Sequence, residues 1–229
     1  MPLAVPTLCA LLPLAALVLP GLFAASRARG AWGVAYAPAD TSEPRPAIVY
    51  LHGMGSSPEQ ACPTLQVAAS PYAFLVCPRG NAPMTDGEGK MWTGSYATVA
   101  PSVHAALDAA AALAPGKLDR SGGGTLVGYS NGAYFAAEVA LHEPGHFTGL
   151  VLLSMHLELD ARRLEAAGVR RVILAAGDAD VAAPSMRALA QALDGAGLSC
   201  RFVSLGPGGH ELPRDLDARM IEPVAWVRQ

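Results

Sequence analysis

Short, continuously apolar runs recur along the chain and are separated by longer segments in which apolar and polar residues mix. The runs do not alternate between apolar and polar positions, as a half-exposed strand would. Continuous runs of this length are typical of strands in a parallel sheet, which is buried on both faces. The predicted strands are residues 46–51, 72–77, 124–128, 149–153, 171–176 and 200–205.

The segments between these runs have the start and stop signals of helices. One begins with Pro184 at an early helical position and stops at Gly195, and others end before Pro-Gly pairs. The repeated alternation predicts an α/β fold, with a mostly parallel sheet of about six or seven strands flanked by helices. Ligands of such sheets bind beyond the carboxyl ends of the strands. The predicted helices are residues 101–114, 131–142, 184–193 and 213–227.

The composition is that of a globular protein. The chain has 229 residues, of which 52% are hydrophobic and 15% charged, and its mean hydropathy is +0.30. Disorder as the main state is therefore excluded. There are 16 Lys and Arg residues against 19 Asp and Glu, and no basic block occurs. We therefore expect no nucleic-acid partner.

Residues 1–26 carry no charged side chain and are rich in Leu, Ala and Val. A cleaved export signal is one interpretation, because small residues at Ala24-Ala25-Ser26 end the apolar run, although no basic residue precedes it. The alternative is a membrane anchor, since about 20 apolar residues can span a bilayer. We predict a signal peptide or anchor at 1–26 and one domain at 31–229. We favour export to the periplasm or the medium, with membrane contact only through this segment.

A glycine-flanked serine lies where the third predicted strand meets a predicted helix. Gly128-Tyr129-Ser130-Asn131-Gly132 matches the pattern G-x-S-x-G. This pattern places a nucleophilic serine on a sharp, strained turn above a sheet, and the glycines leave room for the neighbouring strand and helix. Ser130 is therefore the candidate nucleophile.

A second glycine-flanked loop, His52-Gly53-Met54-Gly55, follows the first predicted strand. An apolar strand entering His-Gly resembles the oxyanion loop of α/β hydrolases. A tetrahedral intermediate needs amide N–H groups already aimed at its oxygen. The residue after the nucleophile, Asn131, supplies one such group, and the resemblance implies that Met54 supplies the other. Gly53 and Gly55 let the backbone turn, and His52 is interpreted as a structural histidine.

His210 is the candidate base, because it follows the sixth predicted strand in a Pro-Gly-Gly loop. The order Ser130, Asp, His210 is the order found in α/β hydrolases. Gly177, Asp180 and Pro184 match the Gly-x-x-Asp-x-x-x-Pro pattern of that family, so Asp180 is the favoured acid. The alternatives are Asp178, which lies closer to the strand end, and a carboxylate after the fourth predicted strand, Glu158 or Asp160.

Together these motifs resemble the α/β-hydrolase superfamily over about residues 46–228. The resemblance is nearest to small carboxylesterases and acyl-protein-thioesterase-like enzymes, and equally to the feruloyl-esterase and polyhydroxybutyrate-depolymerase-like group. It implies a serine hydrolase that cleaves a small-molecule ester or thioester through an acyl-enzyme, without a cofactor or metal. The alternatives are a peptidase or amidase of this fold, and a non-catalytic binding domain.

Three further features bear on the substrate and the compartment. Residues 154–169 leave little room for a lid, which favours an open cleft and short-acyl or soluble substrates. Trp92, in the long unassigned stretch 79–100, could wall the pocket, although packing on the sheet rim is the favoured interpretation, and His156 could line the pocket. Cys62 and Cys77 could pair in an exported domain, or remain buried free thiols.

Overall fold

A computed structural model describes residues 26–85 and 89–229. The predicted segment 1–26 lies outside these residues except for Ser26. One eight-stranded sheet forms the centre, in the order β1-β2-β4-β3-β7-β8-β9-β10. Its strands are β1 (Arg27–Gly30), β2 (Gly33–Tyr36), β3 (Ala47–Leu51), β4 (Phe74–Pro78), β7 (Gly124–Tyr129), β8 (Phe147–Leu153), β9 (Arg171–Ala176) and β10 (Ser199–Ser204).

The predicted α/β fold with a mostly parallel sheet is confirmed. All six predicted strands occur, and β4, β3, β7, β8, β9 and β10 pair in parallel. Two antiparallel strands, β1 and β2, extend the sheet beyond the predicted six or seven. The sheet thus begins at Arg27, before the predicted domain start at residue 31. These two strands have only four residues each, and β1 alternates exposed and half-buried positions, so neither forms a long apolar run.

Helices cover both faces of the sheet. One face packs against α3 (Tyr96–Ala111), α4 (Asn131–His142), α5 (Ala161–Ala166) and α6 (Ala183–Gly195). The other packs against α1 (Pro58–Ala61), a 3₁₀ turn (Cys62–Leu65), α2 (Gln66–Ala69) and α7 (Leu216–Val227). Successive residues of a central strand such as β3 belong alternately to the two cores, which explains why its sequence is apolar throughout. Within the described ranges, no helix has the length and apolarity needed to cross a membrane.

The stretch 79–100 holds a small hairpin and the start of α3. The hairpin strands are β5 (Ala82–Pro83) and β6 (Lys90–Met91). Helix α3 begins at Tyr96 rather than at the predicted residue 101, because Ser95 and Thr98 form a capping box. Pro101 therefore lies inside the helix instead of at its first turn.

Only a short helix separates β8 from β9. Residues 154–170 contain α5, which has six residues, and the turns on either side of it. Asp160 begins this helix, since its carboxylate accepts a hydrogen bond from Arg163 N–H at 2.9 Å. The expectation of little room for a lid at this point agrees with the structure.

Cys62 and Cys77 form a disulfide, while Cys200 is a buried free thiol. The bridge joins the 3₁₀ turn that follows the β3 loop to β4, across a sequence separation of 15 residues. Both cysteines are completely buried. A loop closed by about 15 residues is expected to stabilise the folded state by about 3 kcal/mol, mainly by restricting the unfolded chain.

We therefore predict that the double variant Cys62→Ala/Cys77→Ala loses about 3 kcal/mol of unfolding free energy. Guanidinium unfolding at neutral pH measures this loss, and Cys200→Ala is the control because it removes a buried sulfur without removing a crosslink. A double variant no less stable than Cys200→Ala would contradict the prediction.

Candidate active site

The predicted site residues all follow strands at the carboxyl edge of the parallel sheet. Met54 follows β3, Ser130 follows β7, Asp180 follows β9 and His210 follows β10. β7 lies beside β3 and β8, and β9 lies between β8 and β10, so these loops meet above the sheet centre. This is the edge at which ligands bind in open α/β sheets.

Ser130 lies on a tight turn between β7 and α4. Its backbone has φ 51° and ψ −121°, a conformation that non-glycine residues rarely adopt and that costs on the order of 1–3 kcal/mol. A Cβ atom at Gly128 would collide with Gly132 and Ala133 at the start of α4, and one at Gly132 would collide with the carbonyl oxygens of Leu51 and His52. Both glycines therefore leave space for the turn, as the sequence predicted.

The Ser130 hydroxyl, the His210 ring and the Asp180 carboxylate form a chain of two contacts. Ser130 Oγ lies 2.9 Å from His210 Nε2, and His210 Nδ1 lies 3.2 Å from Asp180 Oδ2. The His210 side chain is 54% exposed, whereas the Asp180 side chain is 0% exposed. This arrangement can move a proton from the hydroxyl to the imidazole, while the buried carboxylate orients the ring.

The environment of Asp180 favours its charged form. Burial alone would raise its pKa, but the Ala182 N–H, which donates to Oδ1 at 2.9 Å, and the nearby His210 lower it below the usual value. Ser154, at the end of β8, is buried with φ 53°. Its hydroxyl makes no hydrogen bond of ordinary geometry within the described residues. The hydroxyl nevertheless also lowers the pKa of the nearby Asp180 carboxylate.

The alternative acids lie elsewhere. The Asp178 side chain is 48% exposed and accepts hydrogen bonds from Arg187 Nη2 at 2.9 Å and Ser204 Oγ at 2.7 Å. Asp160 caps α5, and Glu158 is exposed. Among the four candidate acids, the carboxylate that contacts His210 is that of Asp180.

Main-chain contacts fix the His210 loop against the Asp180 loop. The N–H of Asp178 donates to Gly206 O at 2.7 Å, and the N–H of Ala179 donates to Gly208 O at 3.0 Å. Gly177 permits this approach, because a Cβ atom there would collide with the carbonyl oxygens of the His210 loop.

Tyr129, the residue before the serine, also holds the His210 loop, and sequence reasoning missed it. Its hydroxyl donates to His210 O. Burial raises the pKa of Tyr129, so the hydroxyl stays protonated and remains a donor. The ring also lies where a Cβ atom of Gly53 would be, which requires glycine at that position. The variable position of G-x-S-x-G gave no signal for this role.

The two predicted oxyanion donors follow neighbouring strands, Asn131 after β7 and Met54 after β3. Asn131 is the first residue of α4, so its N–H has no acceptor within the helix. Met54 is 55% exposed, and its neighbour Gly55 has φ 77°, the left-handed conformation that glycine favours. Across the described residues, the Met54 N–H donates to no backbone carbonyl.

His52 is buried below this loop and bonds at both ring nitrogens. Nε2 accepts from the Gly80 N–H at 3.2 Å, which leaves Nδ1 as the protonated nitrogen that donates to Gly53 O at 2.8 Å. Burial lowers the pKa of His52, so the neutral ring is favoured. These bonds fit the predicted structural role.

The two predicted pocket residues differ in position. Trp92 is 1% exposed, so it presents almost no surface to a substrate, and its indole N–H donates to His52 O at 2.9 Å. This burial does not support a place in the pocket wall. His156 is exposed and lies two residues beyond Ser154 at the carboxyl edge.

The cavities in the described part of the chain include four of 290 to 540 Å³. None of these four is lined by Ser130 or His210. Residues 26–85 and 89–229 contain no group of three or more His, Cys, Asp or Glu side chains placed to hold a metal ion.

Comparison with known proteins finds solved structures of similar fold. No family model matches the sequence, and no curated protein matches it. A carboxylesterase from Mesorhizobium loti aligns with TM-score 0.60 and 25% identity over 88% of this chain and 98% of its own. A Bacillus cereus carboxylesterase aligns with TM-score 0.60 and 22% identity over 84% and 91%. An S-formylglutathione hydrolase from Staphylococcus aureus aligns with TM-score 0.61 and 15% identity over 90% and 98%.

We predict that Asp180→Asn lowers kcat far more than Asp178→Asn, by about 10⁴-fold as in other triads whose acid was replaced by its amide. The physical reason is that Asp180 contacts His210 Nδ1, whereas Asp178 contacts Arg187 and Ser204. Steady-state hydrolysis of p-nitrophenyl acetate measures both variants. The reverse ranking would reassign the acid.

We also predict that His52 makes the fold sensitive to acid. Its folded pKa lies below the unfolded value of about 6.5, so the unfolded chain binds the proton first. Its stabilising contribution is complete above about pH 6.5 and is lost as the pH falls towards the folded pKa. Unfolding free energies between neutral and mildly acid pH should therefore fall less steeply for His52→Asn than for the wild type. His156→Asn, which removes an exposed histidine, is the control, and an unchanged slope in His52→Asn would refute the prediction.

Proposed function

We propose that this chain, an α/β hydrolase by fold, cleaves carboxylic esters or thioesters with Ser130 as the nucleophile. The observation that carries the proposal is the contact chain from Ser130 Oγ through His210 to the buried Asp180 carboxylate, at 2.9 and 3.2 Å. Structural neighbours named as carboxylesterases and as an S-formylglutathione hydrolase support an ester-hydrolysing enzyme.

In the first half-reaction, His210 Nε2 takes the Ser130 proton as Oγ attacks the carbonyl carbon. The oxygen of the tetrahedral intermediate takes up the negative charge, which the N–H groups of Asn131 and Met54 stabilise. Collapse of the intermediate breaks the bond to the leaving group, and the protonated His210 gives its proton to the departing alcohol or thiol. Asp180 stabilises the imidazolium in the meantime.

Water completes the cycle. His210 takes a proton from a water molecule that attacks the acyl-enzyme, and a second tetrahedral intermediate forms at the same oxyanion site. Its collapse returns the proton to Ser130 Oγ and releases the carboxylic acid. No step requires a metal or an organic cofactor.

The substrate class follows from the surroundings of the serine. Only the six-residue helix α5 and its flanking turns lie between β8 and β9, and the His210 side chain is 54% exposed. Both features support an open cleft that accepts short-acyl or soluble small molecules.

We predict that, among p-nitrophenyl esters from acetate to laurate, the enzyme hydrolyses those with short acyl groups at the highest kcat/KM, because an open cleft offers little apolar surface to a long chain. Faster hydrolysis of the long-chain esters above their critical micelle concentration would contradict the open cleft.

Two observations support export of the domain. The apolar segment 1–26 ends in small residues. The disulfide between Cys62 and Cys77 is of the kind that persists in oxidising compartments. We propose a periplasmic or secreted enzyme, and an uncleaved segment would instead anchor it to a membrane.

Substitution of the nucleophile and base tests the reaction. Ser130→Ala and His210→Ala should each lower kcat for p-nitrophenyl acetate by at least about 10³-fold, because the two groups act as one unit. Circular dichroism checks that each variant is folded. Folded variants that retain full turnover would refute the proposed triad. A folded wild-type chain without esterase activity would instead favour a peptidase or amidase of this fold, or a non-catalytic binding domain.

A further inference from the structure

A three-residue segment, Lys90–Trp92, touches both elements that carry the proposed oxyanion donors. We call it the bridging segment; it comprises strand β6 and the buried Trp92. It lies in the chain between β4 and α3 and contributes no group to the proton-transfer chain. The role of its hydrogen bonds must therefore differ from the proton transfer assigned to Ser130, Asp180 and His210.

On one side, the bridging segment holds the loop after β3 at both ends of Met54. Trp92 Nε1–H donates to His52 O at 2.9 Å, two residues before Met54. The Gly55 N–H donates to Lys90 O at 3.0 Å, and the Lys90 N–H donates to Ser56 O at 2.8 Å. The bridging segment thus holds the chain on both sides of Met54, at His52 and at Gly55 and Ser56.

On the other side, the bridging segment holds Asn131. The Trp92 N–H donates to Asn131 Oδ1 at 2.8 Å, and Asn131 Nδ2 donates to Trp92 O at 3.2 Å. One side-chain amide thereby satisfies both main-chain polar groups of a single residue. Trp92 is buried, so water competes poorly for these bonds.

Glycine is required where the bridging segment approaches its neighbours. A Cβ atom at Gly89 would collide with Gly55 O, and Gly89 has φ 72°. A Cβ atom at Gly80 would collide with Met91 O. The close contact is therefore built into the backbone.

We propose that Trp92 and the Asn131 side chain are positioning residues that set the spacing of the Met54 and Asn131 N–H groups. This inference rests on the proposed function and deepens it. An oxyanion site acts through donors held in place before the charge develops, and a misplacement of about 1 Å can cost about 10²-fold in rate. Asn131 thus has two roles: its main-chain N–H is a proposed oxyanion donor, and its side-chain amide holds the main chain of Trp92.

The test compares Asn131→Ala and Trp92→Phe with a matched control, Asn81→Ala. Asn81 binds the next residue, Thr93, in the same manner, with Oδ1 accepting at 3.0 Å and Nδ2 donating at 2.9 Å. The other hydrogen bond of its side chain within the described residues goes to Thr98 O, rather than to the β3 loop or Asn131. Trp92→Phe keeps a buried aromatic ring and removes the indole N–H together with the five-membered part of the ring system. Asn131 is partly exposed, so its alanine variant should fold even if the tryptophan variant does not.

We expect Asn131→Ala and Trp92→Phe to lower kcat for p-nitrophenyl acetate by about 10- to 100-fold with KM little changed. The affinity for trifluoroacetone, which adds to the serine and places an oxyanion at the same site, should fall in proportion to kcat/KM. The pH midpoint of kcat/KM should not move, because neither variant touches His210 or Asp180. Asn81→Ala should stay close to the wild type.

Two results would overturn the inference while leaving the proposed function intact. The first is Asn131→Ala and Trp92→Phe losing no more activity than Asn81→Ala. The second is a loss of activity that shifts the pH midpoint, which would place the defect at the base, or one that leaves trifluoroacetone affinity unchanged, which would place it outside the oxyanion site. A folded wild-type chain that neither hydrolyses esters nor binds the ketone overturns the proposed function, and this inference with it.

Discussion

The close approach of the first turn of α4 to the end of β3 is the constraint on which the candidate site depends. Gly132 leaves no room for a side chain, because the carbonyl oxygens of Leu51 and His52 occupy the space that a Cβ would take. The turn from β7 must therefore be tight, and Ser130 takes the strained φ of 51°. The same turn raises the Ser130 hydroxyl above the sheet and leaves the Asn131 N–H at a helix start without an intrahelical acceptor.

Two sets of contacts brace the site around this turn, and Tyr129 contacts both the His210 loop and Gly53 of the β3 loop. On the side of the base, Tyr129 and main-chain bonds between the β9 and β10 loops hold His210 against Asp180. On the other side, the bridging segment and the neutral His52 hold the β3 loop. Such bracing by neighbouring residues is how a site carried on loops keeps a fixed geometry.

The core of the fold could be predicted because strands buried on both faces must be apolar at every position. The β1–β2 hairpin escaped prediction because Arg27 and Arg29 lie on an edge strand only four residues long. The start of α3 was misplaced because Thr98, rather than the usual Glu or Gln, completes the capping box with Ser95. The predicted element boundaries were thus wrong where local hydrogen bonds, rather than apolar periodicity, decide the conformation.

The positions of Ser130, Asp180 and His210 could be predicted because short motifs and strand order bring them to one sheet edge. The contacts of Asp178 with Arg187 and Ser204 could not, since they depend on side-chain directions at the ends of two strands. The bond between Asn131 and Trp92 joins residues 39 apart in sequence, and no local pattern encodes such a pair. Trp92 was accordingly considered for the pocket wall or, preferably, for packing on the sheet rim; it lies buried and connects the β3 loop to the first residue of α4.

The central claim is that Ser130 is an activated nucleophile. Labelling of the folded protein with a fluorophosphonate, followed by mass mapping of the adduct, tests it most directly. We expect one adduct, on Ser130, and much slower formation of this adduct in His210→Ala. An unlabelled folded protein, or an adduct on another serine, would contradict it.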